Sequence, residues 1–462
     1  MSNTVSPRRT NPVAFSSLLS SAHLPTVIAT GLLTMLMISF QPFPSGSGNE
    51  PELGANMINQ LGFGTLGAIS IFSLGWLATP RVVSALFSFS FLLMIGFAML
   101  SVADATSPSA AMRAFSFTLI GILVVAAVLA IPRDADAFST VLSVAGLTVV
   151  AICYIGLVLL PDVARHTAAS MEPQHAGLWR GVFSHKNVAG PVMACLSFCG
   201  LYLFRRGRKW SGAILFVSAF IFMANTGSKT TAGLVPVAMI VVAAPGLFGV
   251  RSIAAALFWI AIAGTAVATL GTVFIDPLKQ FVSWNFPEMT FTGRTTLWDF
   301  AGEMIMKRPW VGYGYDSFWG TPFLESMSQP FDRDWDIRTI VHGHDGYLDI
   351  ALQMGLPGLG VAVWAFLITP VVDYLRIPRY RENVLLGDLF MMILLFTALN
   401  AFLESFFFRR ADPVWLFFVF AVIGLRLAAR FPAVKSRPET AAAAKLPPVA
   451  RPQALGAARN PR

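Results

Sequence analysis

Apolar runs of roughly 17 to 25 residues, the length at which an α-helix crosses a bilayer, recur about twelve times along this 462-residue chain. They begin near Leu24, Leu61, Val82, Phe115, Phe138, Asn187, Trp210, Thr231, Ser252, Asp349, Val384 and Val414. The composition, 55% hydrophobic and 12% charged with a mean hydropathy of +0.66, fits no soluble domain of ordinary size. The expected fold class is all-α: a polytopic integral membrane protein of about twelve transmembrane helices, with one large loop containing short amphipathic helices. The first run follows a hydrophilic leader, residues 1–23, that holds Arg8 and Arg9 and shows no small-residue cleavage site. It reads as a retained helix and not as a removed signal peptide. Cys153, Cys195 and Cys199 all fall in apolar runs without spaced partners, which supports neither a disulfide framework nor a zinc knuckle.

Lys and Arg in short loops set orientation, because such loops are retained on the cytoplasmic side. With an inside amino terminus the inner loops carry Arg81, Arg133, the run Arg205 to Lys209, Arg251, Arg376, Arg379 and Arg381. The tail from 431 to 462, rich in Ala, Pro and Arg without periodicity, reads as a disordered cytoplasmic segment and supplies much of the net charge of +9. Both termini are therefore expected in the cytoplasm, with residues 24–430 forming the transmembrane domain. Nucleic-acid binding is a poor use of this charge, since no module signature accompanies it.

That topology puts the longest polar stretch, residues 276–345, on the outer side. It also places outside several basic residues that the same rule would thin, among them Arg180, Lys186, Lys229, Arg294, Arg409 and Arg410. Long loops translocate regardless of charge, which covers part of this set. Arg180, Lys186 and Lys229 hug helix ends, and an anionic ligand at the outer face would account for all of them.

Three blocks carry the candidate chemistry. In GLWRGVFSHKNVAGP, Arg180, His185, Lys186 and Asn187 lead into a helix whose free N–H groups and partial positive charge can hold phosphate. The bland alternative is an interfacial anchor built on Trp179 with snorkelling Arg180 and Lys186. In TGSKTTAG a glycine, hydroxyls and Lys229 interrupt apolar sequence, too tightly for a P-loop; a plain turn is the alternative. In the long stretch, Leu297, Trp298, Ala301, Met304 and Ile305 recur at helical spacing with Arg294 at the start and Pro309 beyond the end. This predicts an amphipathic helix lying along the membrane surface. The VGYGYDSF that follows offers aromatic faces suited to sugar rings, although Tyr313, Tyr315 and Phe318 could equally pack against the helix. Then comes HGHDGY, with His342 and His344 alternating before Asp345 and the next span. Histidine is the side chain whose ordinary pKa permits base chemistry near neutrality. A metal set from His342, His344 and the carboxylates Asp332, Asp334 and Asp336 lacks tight ligand spacing and is flanked by Arg333 and Arg338, so no metal and no cofactor is expected.

Taken together, WRGVFSHKNVAG, the TGSKT turn, TGRTTLWDFAGEMIMKRPWVGYG and HGHDGYLDIALQMGLPGLG resemble the bacterial O-antigen ligase and polymerase superfamily, most closely its Wzy-type exopolysaccharide polymerases. The likeness covers about Gly177 to Gly360 by motif and the whole chain by topology. The family carries a histidine followed by Asn, Ser or Gln, nine residues, and Gly-x-x-Gly. His344, Asp345, Gly355 and Gly358 match that spacing, with Asp345 departing from the usual amide or hydroxyl. The resemblance implies that His344 activates the acceptor hydroxyl and that Arg294 binds lipid diphosphate. Lys229 stands where the family has a second arginine, and Lys cannot make the bidentate phosphate grip of Arg.

The implied reaction joins undecaprenyl-diphosphate-linked oligosaccharide units, donor and acceptor, at the periplasmic face of the bacterial inner membrane. It would be metal-independent and would invert the anomeric centre. Arg294, Arg180, Lys186 and Lys229 would form the diphosphate clamp, with His185, Asn187, His342 and Asp345 lining the substrate site. The lipid bilayer, a chain-length regulator and a flippase are the implied partners. Two other readings remain: a ligase moving finished glycan to another acceptor, and a transporter or flippase for lipid-linked sugar. Transporters tend to hold ionisable groups at the midplane of repeated halves. Here only Asp388 and Glu404 interrupt the later spans, and no internal repeat is visible.

Overall fold

The structure, a computed structural model, describes residues 23–44, 57–168, 173–247, 249–285, 293–327, 336, 338 and 340–433. In chain order its main helices are α1 (Leu24–Ile38), α2 (Met57–Trp76), α3 (Phe89–Ala103), α4 (Pro108–Ala130), α5 (Ala135–Leu159), α6 (Lys186–Arg206) and α7 (Lys209–Asn225). They continue as α8 (Lys229–Leu247), α9 (Arg251–Ala266), α10 (Asp276–Asn285), α11 (Arg294–Lys307), α12 (Gly346–Val363), α13 (Arg381–Asn400) and α14 (Pro413–Arg430). The described residues contain no strand, only an isolated bridge between Arg165 and Trp179.

Among the described residues, nine helices are long and apolar enough to cross a membrane. The apolar helices α1, α3 and α7 are shorter, at 15, 15 and 17 residues. Each expected run coincides with one of these apolar helices, but the third does not begin near Val82. A single turn, Pro80–Val83, is followed by a break, and Ser88 then caps α3 by accepting the Phe91 N–H at 3.0 Å.

Burial sorts the helices by depth. The apolar stretches of α6, α13 and α14 are 78%, 89% and 72% buried, whereas those of α8 and of the α9 span are each 28% buried. The first three form the middle of the bundle, and the last two turn most of their apolar surface outward, as lipid-facing helices do. Close approach rests on small residues: a Cβ on Gly200 of α6 would sit 2.5 Å from the Phe216 backbone nitrogen of α7.

The two ends of the bundle differ in chemistry. At one end α6 stops at Gly207, left-handed at φ 109°, and its last turn is held by charge. Arg206 pairs with Asp136 at 2.6 Å and Glu382 at 2.7 Å, and Arg205 pairs with Asp388 at 2.9 Å. Asp388, inside α13, is therefore ion-paired to the last turn of α6 and is not a lone charge. The opposite end carries the start of α6, helices α10 and α11, the start of α12 and the segment joining α13 to α14.

Helix α11 forms where the periodicity predicts it, but it does not lie with its apolar face on a membrane surface. Trp298, Phe300, Ala301, Met304 and Ile305 are buried against α12 and the 313–324 segment, and the Trp298 indole donates to the Gly343 carbonyl at 3.2 Å. The apolar stripe found a protein partner, which satisfies it as well as lipid would. The short α10 keeps its aromatic residues exposed instead, with Trp284 at 80%.

Candidate functional site

The site is organised by a break in α12. Gly355 has φ 71° and ψ 179°, a region open only to glycine, and it interrupts the helix after Met354. The interruption frees carbonyls that a continuous helix would use. Leu352 and Gln353 accept the N–H groups of Tyr313 and Gly314 at 2.7 and 3.1 Å, and the Leu356 N–H donates to Pro309 at 2.7 Å. The segment after α11 is thereby stitched to the kink. Tyr315 then fixes its far side: its hydroxyl donates to the Phe408 carbonyl at 2.6 Å and lies 2.8 Å from the Thr118 hydroxyl. Tyr313, Tyr315 and Phe318 are all buried, so these aromatic residues pack chiefly against the protein.

At the start of α12, HGHDGY docks on the segment between α13 and α14 through Gly346 N–H to Ala401 carbonyl, 2.7 Å. Asp345 is the N-cap, accepting the Tyr347 and Leu348 N–H groups at 2.9 Å each. Its departure from the family's amide or hydroxyl is thus mild, because Asp, Asn and Ser cap helices about equally well. Burial pushes its carboxyl well above the ordinary range, with the neighbouring Asp349 adding to the effect and the two N–H groups opposing it.

The residue that gathers the site is Glu404. Its Oε1 accepts from Arg294 Nη2 at 3.0 Å and from Asn187 Nδ2 at 3.2 Å. Its Oε2 lies 3.5 Å from His344 Nδ1, within ion-pair range though long for a hydrogen bond. Arg294 also donates to the Leu403 carbonyl, so its planar fork is held from two directions. Burial would raise the Glu404 carboxyl, but the His344 contact and the Arg294 charge outweigh that and hold it at about 2. It is a permanent anion between a guanidinium and an imidazole. The His342 ring sits 4.1 Å from that of His344, centre to centre. Burial first, then the neighbouring His344 and Arg409 charges, keep His342 well below the usual imidazole range.

The remaining expected site residues take varied positions. His185 caps α6, its Nδ1 accepting the Asn187 N–H at 3.1 Å, and Lys186 is buried in the first turn. The rings of His166, His175 and His185 cluster at 4.8 to 5.9 Å. Arg180 is buried with three donors on backbone carbonyls, Val163 at 2.9 Å, Ser184 at 2.9 Å and Pro44 at 3.1 Å, so its guanidinium braces the segment before α6. Lys229 is exposed at the start of α8, in a turn packed against Gly190 of α6. Of the metal candidates, Asp332 and Asp334 lie outside the described residues. Asp336 is half-buried and faces Arg338, their carboxylate and guanidinium 2.6 Å apart. Among the described residues no group of three or more His, Cys, Asp or Glu has metal-binding geometry.

Two signals mark the site beyond the residues expected. Six described non-glycine residues have positive φ, and four of them, Asp316, His344, Phe408 and Arg410, lie in these interlocking segments. Backbone strain of this kind is retained where surrounding structure over-determines it, often at functional sites. The second is Glu404 itself, visible in sequence only as a charge interrupting an apolar flank and 110 positions from Arg294.

Residues 188–363 match the O-antigen ligase family model, spanning α6 to the end of α12. A curated relative, the Exopolysaccharide production protein ExoQ of Rhizobium meliloti (strain 1021), is 22% identical over 191 residues, 39% of this chain and 43% of the relative. The match therefore covers less than half the length of that relative.

Proposed function

With residues 188–363 placing this membrane protein in the O-antigen ligase and Wzy-type superfamily, we propose that it polymerises lipid-linked oligosaccharide repeat units into exopolysaccharide. The observation that carries this reading is the Glu404 junction, which joins Arg294, Asn187 and His344 from three distant segments. A carboxylate against Nδ1 leaves Nε2 of His344 as the nitrogen that takes a proton, and it stabilises the imidazolium that forms.

In the proposed step a sugar hydroxyl of one lipid-linked unit attacks the anomeric carbon of the growing chain on its undecaprenyl diphosphate carrier. The new glycosidic C–O bond forms as the bond to the diphosphate breaks. His344 takes the hydroxyl proton, and undecaprenyl diphosphate leaves with the bonding electrons. Arg294 offsets the charge that builds on the diphosphate, with Lys186 and Lys229 at the neighbouring helix starts adding positive potential. A single displacement inverts the anomeric centre. The leaving group is already good and the clamp is cationic, so the step requires no metal. The bilayer supplies the carrier lipid, and the site faces the periplasm with both termini in the cytoplasm.

The family description favours one alternative, transfer of a finished glycan to a different acceptor by a ligase. Reconstitution with a single lipid-linked repeat unit separates the readings. A polymerase yields a ladder of longer lipid-linked glycans and free undecaprenyl diphosphate, whereas a ligase yields no ladder without its acceptor and a flippase only moves lipid across the bilayer. His344→Ala is expected to abolish the ladder in protein that still purifies as a monodisperse species. An intact ladder in that variant would remove His344 as the base.

A further inference from the structure

Beside the histidine pair is a cleft of ≈ 540 Å³, counting the solvent at its mouth, between the stitched segment 316–319, the first turns of α12 and residues 405–409. We propose that this cleft is an acceptor-sugar subsite, holding one pyranose ring of the incoming repeat unit with a hydroxyl directed toward the histidines. The assignment rests on the polymerase reading for which substrate enters, but not for the chemistry of the cleft.

Its lining suits a sugar better than a phosphate or a lipid tail. Asp316, Asp349, Gln353 and Arg409 set acceptors and donors around the cleft, and Trp319 adds a flat apolar surface. Asp316 and Asp349 offset the Arg409 charge that a phosphate would need, and this many polar groups would be a costly bed for an acyl chain. The arrangement is rigid. The Trp319 indole donates to Asp349 Oδ1 at 2.7 Å, Asp349 being 7% exposed, and this bond fixes both the ring and the carboxylate. Gln353 accepts the Asp316 N–H through its side-chain oxygen at 3.2 Å, which leaves its amide NH₂ to donate. Arg410 holds Asp316 at 3.2 Å. Gly343 lets the histidine segment close on this wall, since a Cβ there would lie 2.5 Å from Asp349 Oδ1 and 3.2 Å from the Trp319 indole.

His342 lines the cleft, and its Nδ1 is buried without a hydrogen-bond partner. Buried polar atoms are nearly always satisfied, so this nitrogen would gain a partner if the ring turned toward a ligand group in the cleft. A sugar hydroxyl in the cleft beside His342 would lie one imidazole away from His344, whose ring centre is 4.1 Å from that of His342.

The test uses the full chain in lipid nanodiscs and, as probe, the lipid-free repeat-unit oligosaccharide released from the host polymer by mild acid. Saturation-transfer NMR on the wild type is expected to show binding. Trp319→Ala and Gln353→Ala are each expected to weaken binding by about tenfold. Gln353→Ala removes only an amide at the rim, so it decides the matter if Trp319→Ala fails to fold. Unchanged oligosaccharide binding in Gln353→Ala, or no binding by the wild type, overturns the subsite. The two proposals fail separately. Cleft-dependent binding without ladder formation sinks the polymerase and keeps the subsite, and a normal ladder with cleft-independent binding does the reverse.

Discussion

Asp345 and Glu404 are both carboxylates beside His344, and their surroundings drive them in opposite directions. Asp345 is fully buried with only two N–H groups to hold it, so its carboxyl rises well above the ordinary 3.8. The folded state then binds a proton that the unfolded chain has released, and the fold loses stability as pH climbs from about 4 through the raised pKa. Asp345→Asn keeps the cap without that penalty. It is expected to preserve glycan synthesis and to flatten the rise in thermal midpoint on acidification, whereas Asp345→Ala costs about 1 kcal/mol through the lost cap. A midpoint for Asp345→Asn below that of Asp345→Ala at neutral pH would refute the cap assignment. Glu404 is the reverse case, held at about 2 against an ordinary 4.5. Its contribution is complete above about pH 4.5 and is lost as pH falls toward 2. Glu404→Gln keeps the shape but lets go of the charge between Arg294 and His344. Turnover is expected to fall by about a hundredfold, with the acid-side loss of thermal stability shallower than in the wild type. Unaltered turnover would show that His344 works without its carboxylate.

At the scale of elements, the break in α12 does more than bend a helix. A side chain at Gly355 would be strained by the φ of 71° and would also meet the Trp310 backbone at 2.5 Å. Gly355→Ala is therefore expected to cost about 1 to 3 kcal/mol and to detach the 309–316 segment, which limited proteolysis near Arg308 would report as faster cleavage. If cleavage and melting matched the wild type, the stitch would be dispensable. This element also shows where sequence reasoning reaches its limit. The amphipathic period of α11 and its end before Pro309 could be read directly, since both are local. The pairing of Gly355 with Gly358 was visible only as family spacing, because nothing in periodicity distinguishes a glycine that breaks a helix from one that packs it. Whether the α11 stripe would face lipid or protein was equally illegible, as both accept the same residues. Glu404 escaped notice as a site residue because its partners, Asn187, Arg294 and His344, lie 217, 110 and 60 positions away, and only the folded bundle brings them together.

At the scale of the whole molecule, the site gathers at one end of the bundle, and the basic residues tied to Asp136, Glu382 and Asp388 gather at the other. The topology proposed from the positive-inside rule puts the second end in the cytoplasm and so sends Arg294, His344 and Glu404 to the periplasm. The chain offers a clean way to measure this, because Cys153, Cys195 and Cys199 are free and are all buried in α5 and α6. They should react little with a membrane-impermeant maleimide in native protein, so an introduced cysteine reports on a nearly silent background. Ser326 and Arg379 are both exposed, the first in the segment stitched to the site and the second beside the opposite end of α13. Ser326→Cys is expected to label in intact spheroplasts, and Arg379→Cys only after the membrane is opened. The converse pattern would put His344 on the cytoplasmic side, where the proposed acceptor-sugar cleft and the diphosphate clamp would face nucleotide-sugar synthesis instead of exported lipid-linked units. Equal labelling of both positions before lysis would mean leaky spheroplasts, which a cytoplasmic marker enzyme detects in the same sample. A correct pair of labels thus constrains the substrate as well as the topology: only a unit already carried across the bilayer could reach the imidazole.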